Sequence, residues 1–256
     1  MTDQSAQYPS LRNRNVLITG GASGIGASAV RHFTQQGARV AFLDVQDDIA
    51  DRLVSELSET VPISPVYSHC NLLDIAALQK TIIELQSRIG NFQVLVNNAA
   101  NDDRHNFEDV TPEYWDHRMA LNLRHYFFTM QSVIPAMKAA KAGSIINMSS
   151  IGWMIPSVRE VAYVTAKAAV VGLTRTMAHE LGKWNIRVNA VLPGAVLTER
   201  QRKLWWTPEY EAEIMANQAI KRPLLPEEVA SLLLFLAADD SSAITNQSYV
   251  IDAGWV

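Results

Sequence analysis

Short apolar runs alternate along the chain with longer segments in which apolar residues recur at helical spacing. The segment 46–60, for example, places Ile49, Leu53 and Leu57 on one stripe of a helix. This alternation predicts right-handed βαβ units and therefore a parallel sheet. The predicted strands are residues 14–19, 38–43, 65–70, 92–100, 143–150, 185–191 and 247–251, and the predicted helices are one ended by Gly37, residues 46–60 and 75–89, one opened by Thr111, residues 126–140, one from Tyr163 to Leu181, and residues 226–238.

The fold class that follows is α/β, with a single doubly wound parallel sheet of the Rossmann type and helices on both faces. A chain of 256 residues fits one such domain, and no linker or internal repeat divides it. A less regular segment interrupts the alternation at about 198–220. We therefore expect one domain over residues 1–256, with that segment serving as a substrate lid.

Composition narrows the class of partner. Hydrophobic residues at 48% and charged residues at 19% are ordinary for a soluble globular core. A net charge of −4, with both signs interspersed, argues against a nucleic-acid partner. No apolar run approaches the ~18 residues of a membrane span and no charged-then-apolar leader opens the chain, so we expect a cytoplasmic protein without a membrane partner. The single cysteine, Cys70, is expected to be a buried small hydrophobe rather than a reactive thiol.

The first predicted strand runs directly into a glycine cluster that opens a helix. Gly20 permits a tight turn, Gly24 lets backbone approach a pyrophosphate, and Gly26 lets the helix pack on the strand. The helix N-terminus adds N–H donors and the positive end of the helix dipole. Glycine clusters also form plain turns, but the flanking strand and helix favour a phosphate site of the dinucleotide-binding type.

Asp44 ends the second predicted strand, close to the ~20-residue offset at which an acidic residue contacts the adenosine ribose. A carboxylate there accepts hydrogen bonds from the 2′-hydroxyl and repels a 2′-phosphate. The position therefore favours NAD over NADP as cofactor. The alternative is an aspartate that only caps the following helix.

Polar residues also end or interrupt later elements. Asn97 and Asn98 close the fourth strand, at the carboxyl edge where doubly wound sheets bind ligands, although both could be simple turn residues. Asn122 lies among apolar neighbours, so its buried amide either bridges backbone in a kinked helix or holds a water near the active site. The fifth strand delivers Ser150 to the same edge as the asparagines.

Tyr163 and Lys167 are four residues apart, so one face of a helix presents both side chains. Alone they would most simply be a surface pair, but Ser150 and the glycine loop favour chemistry. Hydride transfer from an alcohol to a nicotinamide requires a proton acceptor. A free tyrosine titrates near ~10, and a neighbouring lysine cation, helped by the positive charge of an oxidised nicotinamide, lowers that pKa. We therefore predict Tyr163 as the general base, Lys167 as the group that tunes it and reaches the nicotinamide ribose, and Ser150 as the donor to the substrate oxygen.

The order of these motifs resembles the short-chain dehydrogenase/reductase family over nearly the whole chain. The matching residues are Thr19, Gly20, Gly24 and Gly26, then Asn97-Asn98-Ala99, Asn122, Ser150, Tyr163 with Lys167, and Pro193-Gly194 with Thr198. The resemblance implies that Asn122 anchors a water that relays protons past Lys167, and that Asn97 contacts the adenosine half of the cofactor. It further implies that Val196 and Thr198 hold the nicotinamide amide, and that the protein is a homotetramer built on helix pairs.

Two positions depart from the family pattern. Ala100 stands where a glycine commonly follows Asn-Asn-Ala, and Asn71 stands where an aspartate usually meets the adenine amino group. An amide oxygen still accepts that hydrogen bond, so weaker adenine anchoring is expected rather than lost binding. The predicted catalytic residues are Asn122, Ser150, Tyr163 and Lys167, no metal ligand is assigned, and the predicted cofactor residues are Gly20, Ser23, Gly24, Ile25, Gly26, Asp44, Asn71, Asn97, Ala99, Tyr163, Lys167, Pro193, Gly194, Val196 and Thr198.

Substrate choice is expected from three loops, residues 101–105, 152–156 and 201–209. The first offers amides and carboxylates for sugar hydroxyls, and Trp153, Trp205 or Trp206 offers a flat face for sugar C–H groups. The alternatives are a solvated charged loop and tryptophans that pack on the core as a lid. The predicted substrate residues are Asn101, Asp102, Ser150, Trp153, Met154, Arg159, Gln201 and Trp205.

These loop sequences, with the ending 251–255, resemble the aldose 1-dehydrogenase subgroup of the family. That resemblance implies oxidation of the anomeric carbon of a pyranose to an aldonolactone with NAD(P), so the small-molecule partner is a sugar. Met154 stands where some members of the subgroup have a histidine, which leaves the sugar itself open. The alternatives are a dehydrogenase of another secondary alcohol, such as a deoxy sugar acid or a polyol, a 3-oxoacyl thioester reductase, and a non-catalytic NAD-binding sensor.

Overall fold

A computed structural model describes residues 6–256 and contains one seven-stranded sheet in which every neighbouring pair of strands is parallel. The strand order is β3-β2-β1-β4-β5-β6-β7. This confirms the predicted doubly wound α/β fold. The strands are β1 Asn15–Thr19, β2 Arg39–Asp44, β3 Val66–His69, β4 Val94–Asn97, β5 Gly143–Met148, β6 Ile186–Pro193 and β7 Ser248–Ile251.

Helices cover both faces of the sheet. One buried cluster joins Phe33, Leu53 and Leu233 to one side of the strands, and a second joins Leu78 and Met130 to the other side. Because both faces are covered, β1 is buried at all five positions. The α-helices are α1 Gly24–Gln35, α2 Asp47–Ser58, α3 Ile75–Ile89, α4 Pro112–Met119, α5 His125–Ala140, α6 Val161–Leu181, α7 Glu199–Leu204, α8 Pro208–Asn217 and α9 Pro226–Ala237.

The predicted and observed boundaries of the strands and helices differ mainly where polar residues or glycines interrupt the apolar pattern. The fourth predicted strand, 92–100, keeps only four residues because its end turns into the loop that carries Asn98. The first helix begins at Gly24, before the apolar spacing becomes visible in the sequence. A π-helical segment, Ala120–Arg124, joins α4 to α5. This segment is the irregularity expected around Asn122.

The strand order indicates the edge of the sheet at which a ligand would bind. β1 lies between β2 and β4, so the chain leaves β1 in one direction and returns to its other side after β3. Ligands of doubly wound sheets bind outside the carboxyl ends of the strands at this reversal.

Within residues 6–256, no helix is long and apolar enough to cross a membrane. Cys70 is 3% exposed, and burial raises the pKa of its thiol, as expected for a small buried hydrophobe.

Candidate active site

The glycine loop lies between β1 and α1. Gly20 and Gly24 both have positive φ angles, +67° and +55°, a backbone conformation that favours glycine. A Cβ on Gly26 would stand 1.8 Å from the carbonyl oxygen of Gly20, so no side chain fits there. Ser23 occupies the N-cap without a side-chain hydrogen bond to the helix backbone, and the first turn, which includes Ile25, carries no acidic residue. The N-terminus of α1 therefore suits a phosphate group.

Asp44 closes β2 directly beside this loop. Its Oδ2 accepts a hydrogen bond from Ala22 N at 2.9 Å, and its Oδ1 accepts from Val45 N and Gln46 N at 2.8 and 3.1 Å. The carboxylate thus fixes the glycine loop to the end of β2, a structural role that sequence reasoning described only in part. Asn71 is exposed, and its Oδ1 accepts from Leu73 N at 3.1 Å.

The two asparagines at the end of β4 have different surroundings. Asn98 Nδ2 donates to the carbonyl oxygens of Thr19 and Gly20, each at 3.0 Å, and so braces the glycine loop. Asn97 is 0% exposed, and its Nδ2 donates at 2.9 Å to Asn147 Oδ1 on β5. The structure therefore does not bring Asn97 to the crevice surface, because the amide completes a buried polar network inside the sheet. Ala99 N donates to Thr19 Oγ1 at 3.1 Å.

Ser150 and Tyr163 are brought together at the carboxyl end of β5. Ser150 Oγ accepts from Gly152 N at 3.0 Å, which caps the short turn Ile151–Trp153. Burial and the carboxylates of Asp102 and Glu160 raise the pKa of the Tyr163 phenol, and they outweigh the lowering of that pKa by the Ser150 hydroxyl. The net effect is that the pKa of Tyr163 is raised above its ordinary value.

Lys167 lies one helical turn after Tyr163 and is 1% exposed. Its Nζ donates to Met148 O at 2.7 Å and to Tyr126 Oη at 3.0 Å, while the Tyr163 ring centroid is 5.6 Å away. Burial lowers the pKa of Lys167 to about 7. In the protein without cofactor, the predicted lowering of the Tyr163 pKa by Lys167 is not seen, because burial dominates at Tyr163.

Asn122 occupies the π-helical segment and is 0% exposed. Its Oδ1 accepts from Asn101 N at 2.8 Å, whereas its Nδ2 has no partner among residues 6–256. A buried donor without a partner is costly, so this atom is suited to hold a water or ligand oxygen. Both sequence interpretations, a backbone bridge in an irregular helix and an anchor near the active site, are compatible with this geometry.

The loop after β4 is a built structure rather than a solvated charged loop. All five residues 101–105 are partly buried. Asp102 Oδ1 forms an ion pair with Arg200 Nη2 at 3.1 Å, and its Oδ2 accepts from Gln201 Nε2. The Arg104 guanidinium lies 4.6 Å from the Trp205 ring and pairs with Glu160 at 3.2 Å. The segment predicted as a lid, which contains α7 and α8, is therefore tied to this loop.

Sequence reasoning missed the supports of this loop. Asn101 Oδ1 accepts from Arg118 Nη1 at 3.0 Å, and Arg118 Nη2 lies 3.3 Å from Asp103 Oδ2. The Tyr114 hydroxyl donates to the same carboxylate oxygen at 3.2 Å. Arg118 lies four residues before Asn122 and Tyr126 four residues after it. Helical spacing around the buried amide of Asn122 could therefore have predicted that both residues lie near the site.

The predicted nicotinamide side lies beyond β6. Pro193 ends that strand, and a Cβ on Gly194 would stand 2.8 Å from Asp252 Cβ. Val196 is 6% exposed and pairs with Leu224. Thr198 caps α7 by accepting from Gln201 N at 3.1 Å, and its methyl group would lie 3.3 Å from a Cβ on Gly24. The structure thus places Thr198, at the end of the 193–198 segment, over the glycine loop.

Three predicted substrate residues lie nearer the surface. Trp153 and Met154 are 38% and 43% exposed, and Arg159 is exposed with a φ of +64°. The Arg159 carbonyl oxygen accepts from His105 N at 2.8 Å, which links the 101–105 loop to the segment before α6. Trp153 and Met154 follow Ser150 closely in the sequence, and their exposed side chains could contact a ligand.

Comparison with known proteins agrees with this geometry. A family model described as enoyl-(acyl carrier protein) reductase matches residues 20–256. D-xylose 1-dehydrogenase of Caulobacter vibrioides is 50% identical over 251 residues, which cover 98% of this chain and 99% of that protein. A Rhizobium meliloti protein named probable galactose dehydrogenase GalD is 45% identical over 254 residues, 99% of each chain.

The fold also matches solved structures. The crystal structure of a 3-oxoacyl-[acyl-carrier protein] reductase with bound NAD from Brucella melitensis superposes with a TM-score of 0.90. It is 30% identical, and the match covers 100% of this chain and 98% of the other.

Proposed function

The chain belongs to the short-chain dehydrogenase/reductase family, and from this premise we propose that it oxidises an aldose at the anomeric carbon with NAD, giving an aldonolactone. The proposal rests on one observation: Ser150, Tyr163 and Lys167 lie beside residues 101–105, a loop rich in amides and carboxylates. The segment that contains Trp205 covers this loop. The similarity to sugar dehydrogenases over nearly the full chain supports it.

The residues at the carboxyl edge fit a dinucleotide. The uncapped N-terminus of α1 and the cradle of Gly20, Gly24 and Gly26 would receive the pyrophosphate. Asp44 and Asn71 would meet the adenosine half. The segment 193–198 and Lys167 would hold the nicotinamide half. When bound, the oxidised nicotinamide supplies the hydride acceptor.

The chain's own residues supply the proton chemistry. Ser150 Oγ donates a hydrogen bond to the substrate oxygen and holds it beside the Tyr163 phenol. Tyr163, as phenolate, accepts the proton of the anomeric hydroxyl as the C–H bond is broken. Because the Tyr163 pKa is raised, the phenolate becomes more abundant with rising pH, and sugar oxidation should accelerate toward alkaline pH. We propose that Lys167 and a water held by Asn122 then pass the proton onward.

We propose that the substrate loop and the lid recognise the sugar together. Asp102 accepts from Gln201 and pairs with Arg200, so a sugar hydroxyl can replace one of these donors on the same carboxylate. Asn101 is held by Arg118 in an orientation fixed by the loop. Trp153 and Trp205 would offer apolar faces to the C–H surface of the ring, and Met154 and Arg159 would contact the sugar from the segment before α6.

The proposed reaction is tested by measuring NADH formation with a panel of pentoses, hexoses, deoxyhexoses, polyols, sugar acids and 3-hydroxyacyl thioesters. Activity should be greatest with an aldose, and Tyr163→Phe should abolish it while leaving the fold intact by circular dichroism. Activity confined to sugar acids or hydroxyacyl thioesters would refute the aldose assignment. Full activity in Tyr163→Phe would refute the mechanism.

The preference for NAD is a separate proposal that rests on Asp44. Replacement by alanine removes the carboxylate that would repel a 2′-phosphate, but it also frees Ala22 N from its hydrogen bond. A matched control is Gln46→Ala, which alters the same turn and keeps the carboxylate. The ratio of kcat/KM for NAD to that for NADP should fall in Asp44→Ala and stay near wild type in the control. An unchanged ratio in Asp44→Ala would contradict the assignment.

We also propose a homotetramer and a cytoplasmic location. Phe127, Ile134 and Met177 border an apolar groove of about 480 Å³ between α5 and α6, and this groove supports assembly through helix pairs. Light scattering behind size-exclusion chromatography should give four chains per particle, and a monomer would contradict the proposal. Cell fractionation tests the location.

A further inference from the structure

The Lys167 ammonium is buried near Tyr163, and a second tyrosine holds it. Lys167 Nζ donates to Tyr126 Oη at 3.0 Å and to Met148 O at 2.7 Å. The Tyr126 hydroxyl donates its own proton to Met148 O at 3.0 Å. Tyr126 is 0% exposed, so these three groups form a closed triangle without solvent.

The triangle decides which way each hydrogen bond runs. With its proton committed to Met148 O, the Tyr126 oxygen offers lone pairs to a donor. A protonated Lys167 can donate to both neighbouring oxygens at once, whereas a neutral amine gives up part of this charge-assisted bonding. The hydroxyl of Tyr126 therefore favours the charged form of a lysine whose burial favours the neutral form.

Both tyrosine rings lie near the ammonium. The Tyr126 and Tyr163 ring centroids are 5.2 and 5.6 Å from Lys167 Nζ. The other titratable groups that interact with Lys167 are His125 from α5 and Asp102 from the loop after β4. Only Tyr126 among these four gives the ammonium a direct hydrogen bond within residues 6–256.

We propose that Tyr126 is a positioning residue of the catalytic centre, which keeps Lys167 protonated and fixed next to Tyr163 so that its charge favours the phenolate. The proposal rests on the assignment of Tyr163 as general base under the proposed function. It extends the catalytic set from α6 to α5, and it gives a neutral hydroxyl a role in setting the pH range of the reaction.

Tyr126→Phe keeps the ring and removes only the hydroxyl. Loss of one hydrogen bond to a charged group should lower the pKa of Lys167 by about one unit. The pKa is read directly in the protein without cofactor by NMR of ¹³Cε-labelled lysine, with the Lys167 signal assigned by its loss in Lys167→Met. An unchanged Lys167 pKa would overturn the proposal, and this readout does not depend on any substrate.

The same variant should move the pH profile of kcat for alcohol oxidation toward alkaline pH. The rate near neutral pH should fall by up to about tenfold and recover at high pH, since one pKa unit is a tenfold change in population. A uniform loss of rate at every pH would indicate a purely structural role and refute the proposal. If Tyr126→Phe does not fold, Tyr126→Met takes its place, because it also lacks the hydroxyl and should give the same shift of the pH profile.

A matched control is Ser144→Ala on β5. It also removes a buried hydroxyl that donates to a backbone carbonyl, Leu236 O at 2.8 Å, but at the opposite end of the strand from Ser150. Its pH profile should equal that of wild type, and an equal shift would overturn the proposal. Wild-type protein inactive on aldoses but active on another alcohol would refute the proposed function, and the Tyr126 comparison would then use that alcohol.

Discussion

Acidification should destabilise this protein through one histidine that is buried in neutral form. His125 is 0% exposed at the start of α5, where Nε2 donates to Ala99 O at 3.2 Å. Burial, together with the nearby Lys167 cation, lowers the pKa of His125 to about 3. The folded protein therefore keeps this imidazole neutral at pH values where the unfolded chain protonates it.

The magnitude follows from proton linkage. A histidine in the unfolded chain titrates near 6.5, so the contribution of His125 to stability is complete above that pH and is lost as pH falls toward about 3. Each pH unit inside this window costs about 1.4 kcal/mol. Between neutral pH and about pH 4.5 the free energy of unfolding should thus drop by about 2.7 kcal/mol through His125 alone.

The assay is urea unfolding, followed by circular dichroism at both pH values, for wild type and His125→Gln. Glutamine has no titrating group and keeps an Nε2 donor for Ala99 O, so the pH dependence should be smaller in this variant by that amount. Other titrating groups are shared and cancel in the difference. His117→Gln, at an exposed position, is the control and should retain the wild-type pH dependence. Equal pH dependence in wild type and His125→Gln would refute the reasoning.

Three further outcomes are expected at the site. Gly26→Ala should destabilise the protein by about 1–3 kcal/mol, because the new Cβ would stand 1.8 Å from Gly20 O. Fluorescence titration should show that this variant no longer binds the cofactor, and wild-type affinity would contradict the role of the glycine loop in binding it. Ser150→Ala should lower kcat roughly 10²-fold with little change in KM, since one donor to the reacting oxygen is lost; an effect on KM alone would contradict that role. Asp102→Asn should shift the pH profile of sugar oxidation toward acid, because the Asp102 carboxylate that it removes raises the pKa of Tyr163. An alkaline shift of the profile would contradict this reasoning.

The architecture of the sheet could be predicted because its cause is local. Buried parallel strands are short and continuously apolar, and the crossover helices carry one apolar stripe, as in α3, whose predicted bounds 75–89 match Ile75–Ile89. Glycine positions were informative for the same reason, since the close approach at Gly26 excludes every side chain. The motif spacings therefore located Ser150, Tyr163 and Lys167 at one edge.

What the sequence did not reveal depends on contacts between distant residues. Asn97 was expected in the crevice, but pairing with Asn147 across neighbouring strands buries it. The pKa of Tyr163 was expected to fall, but burial raises it, and burial is a property of the packed structure. Likewise, Tyr126 reads as one more apolar residue of α5 until Lys167, 41 residues away, is found against its hydroxyl.

The central claim is that a hydride leaves the anomeric carbon of an aldose while Tyr163 takes the hydroxyl proton. Its most direct test uses an aldose deuterated at C1, such as D-xylose or D-galactose, with NAD and the wild-type protein. Mass spectrometry should find the deuterium in the reduced cofactor and an aldonolactone as the product, and Tyr163→Phe should give neither. Reduced cofactor without deuterium, or a sugar oxidised at another carbon, would contradict the account.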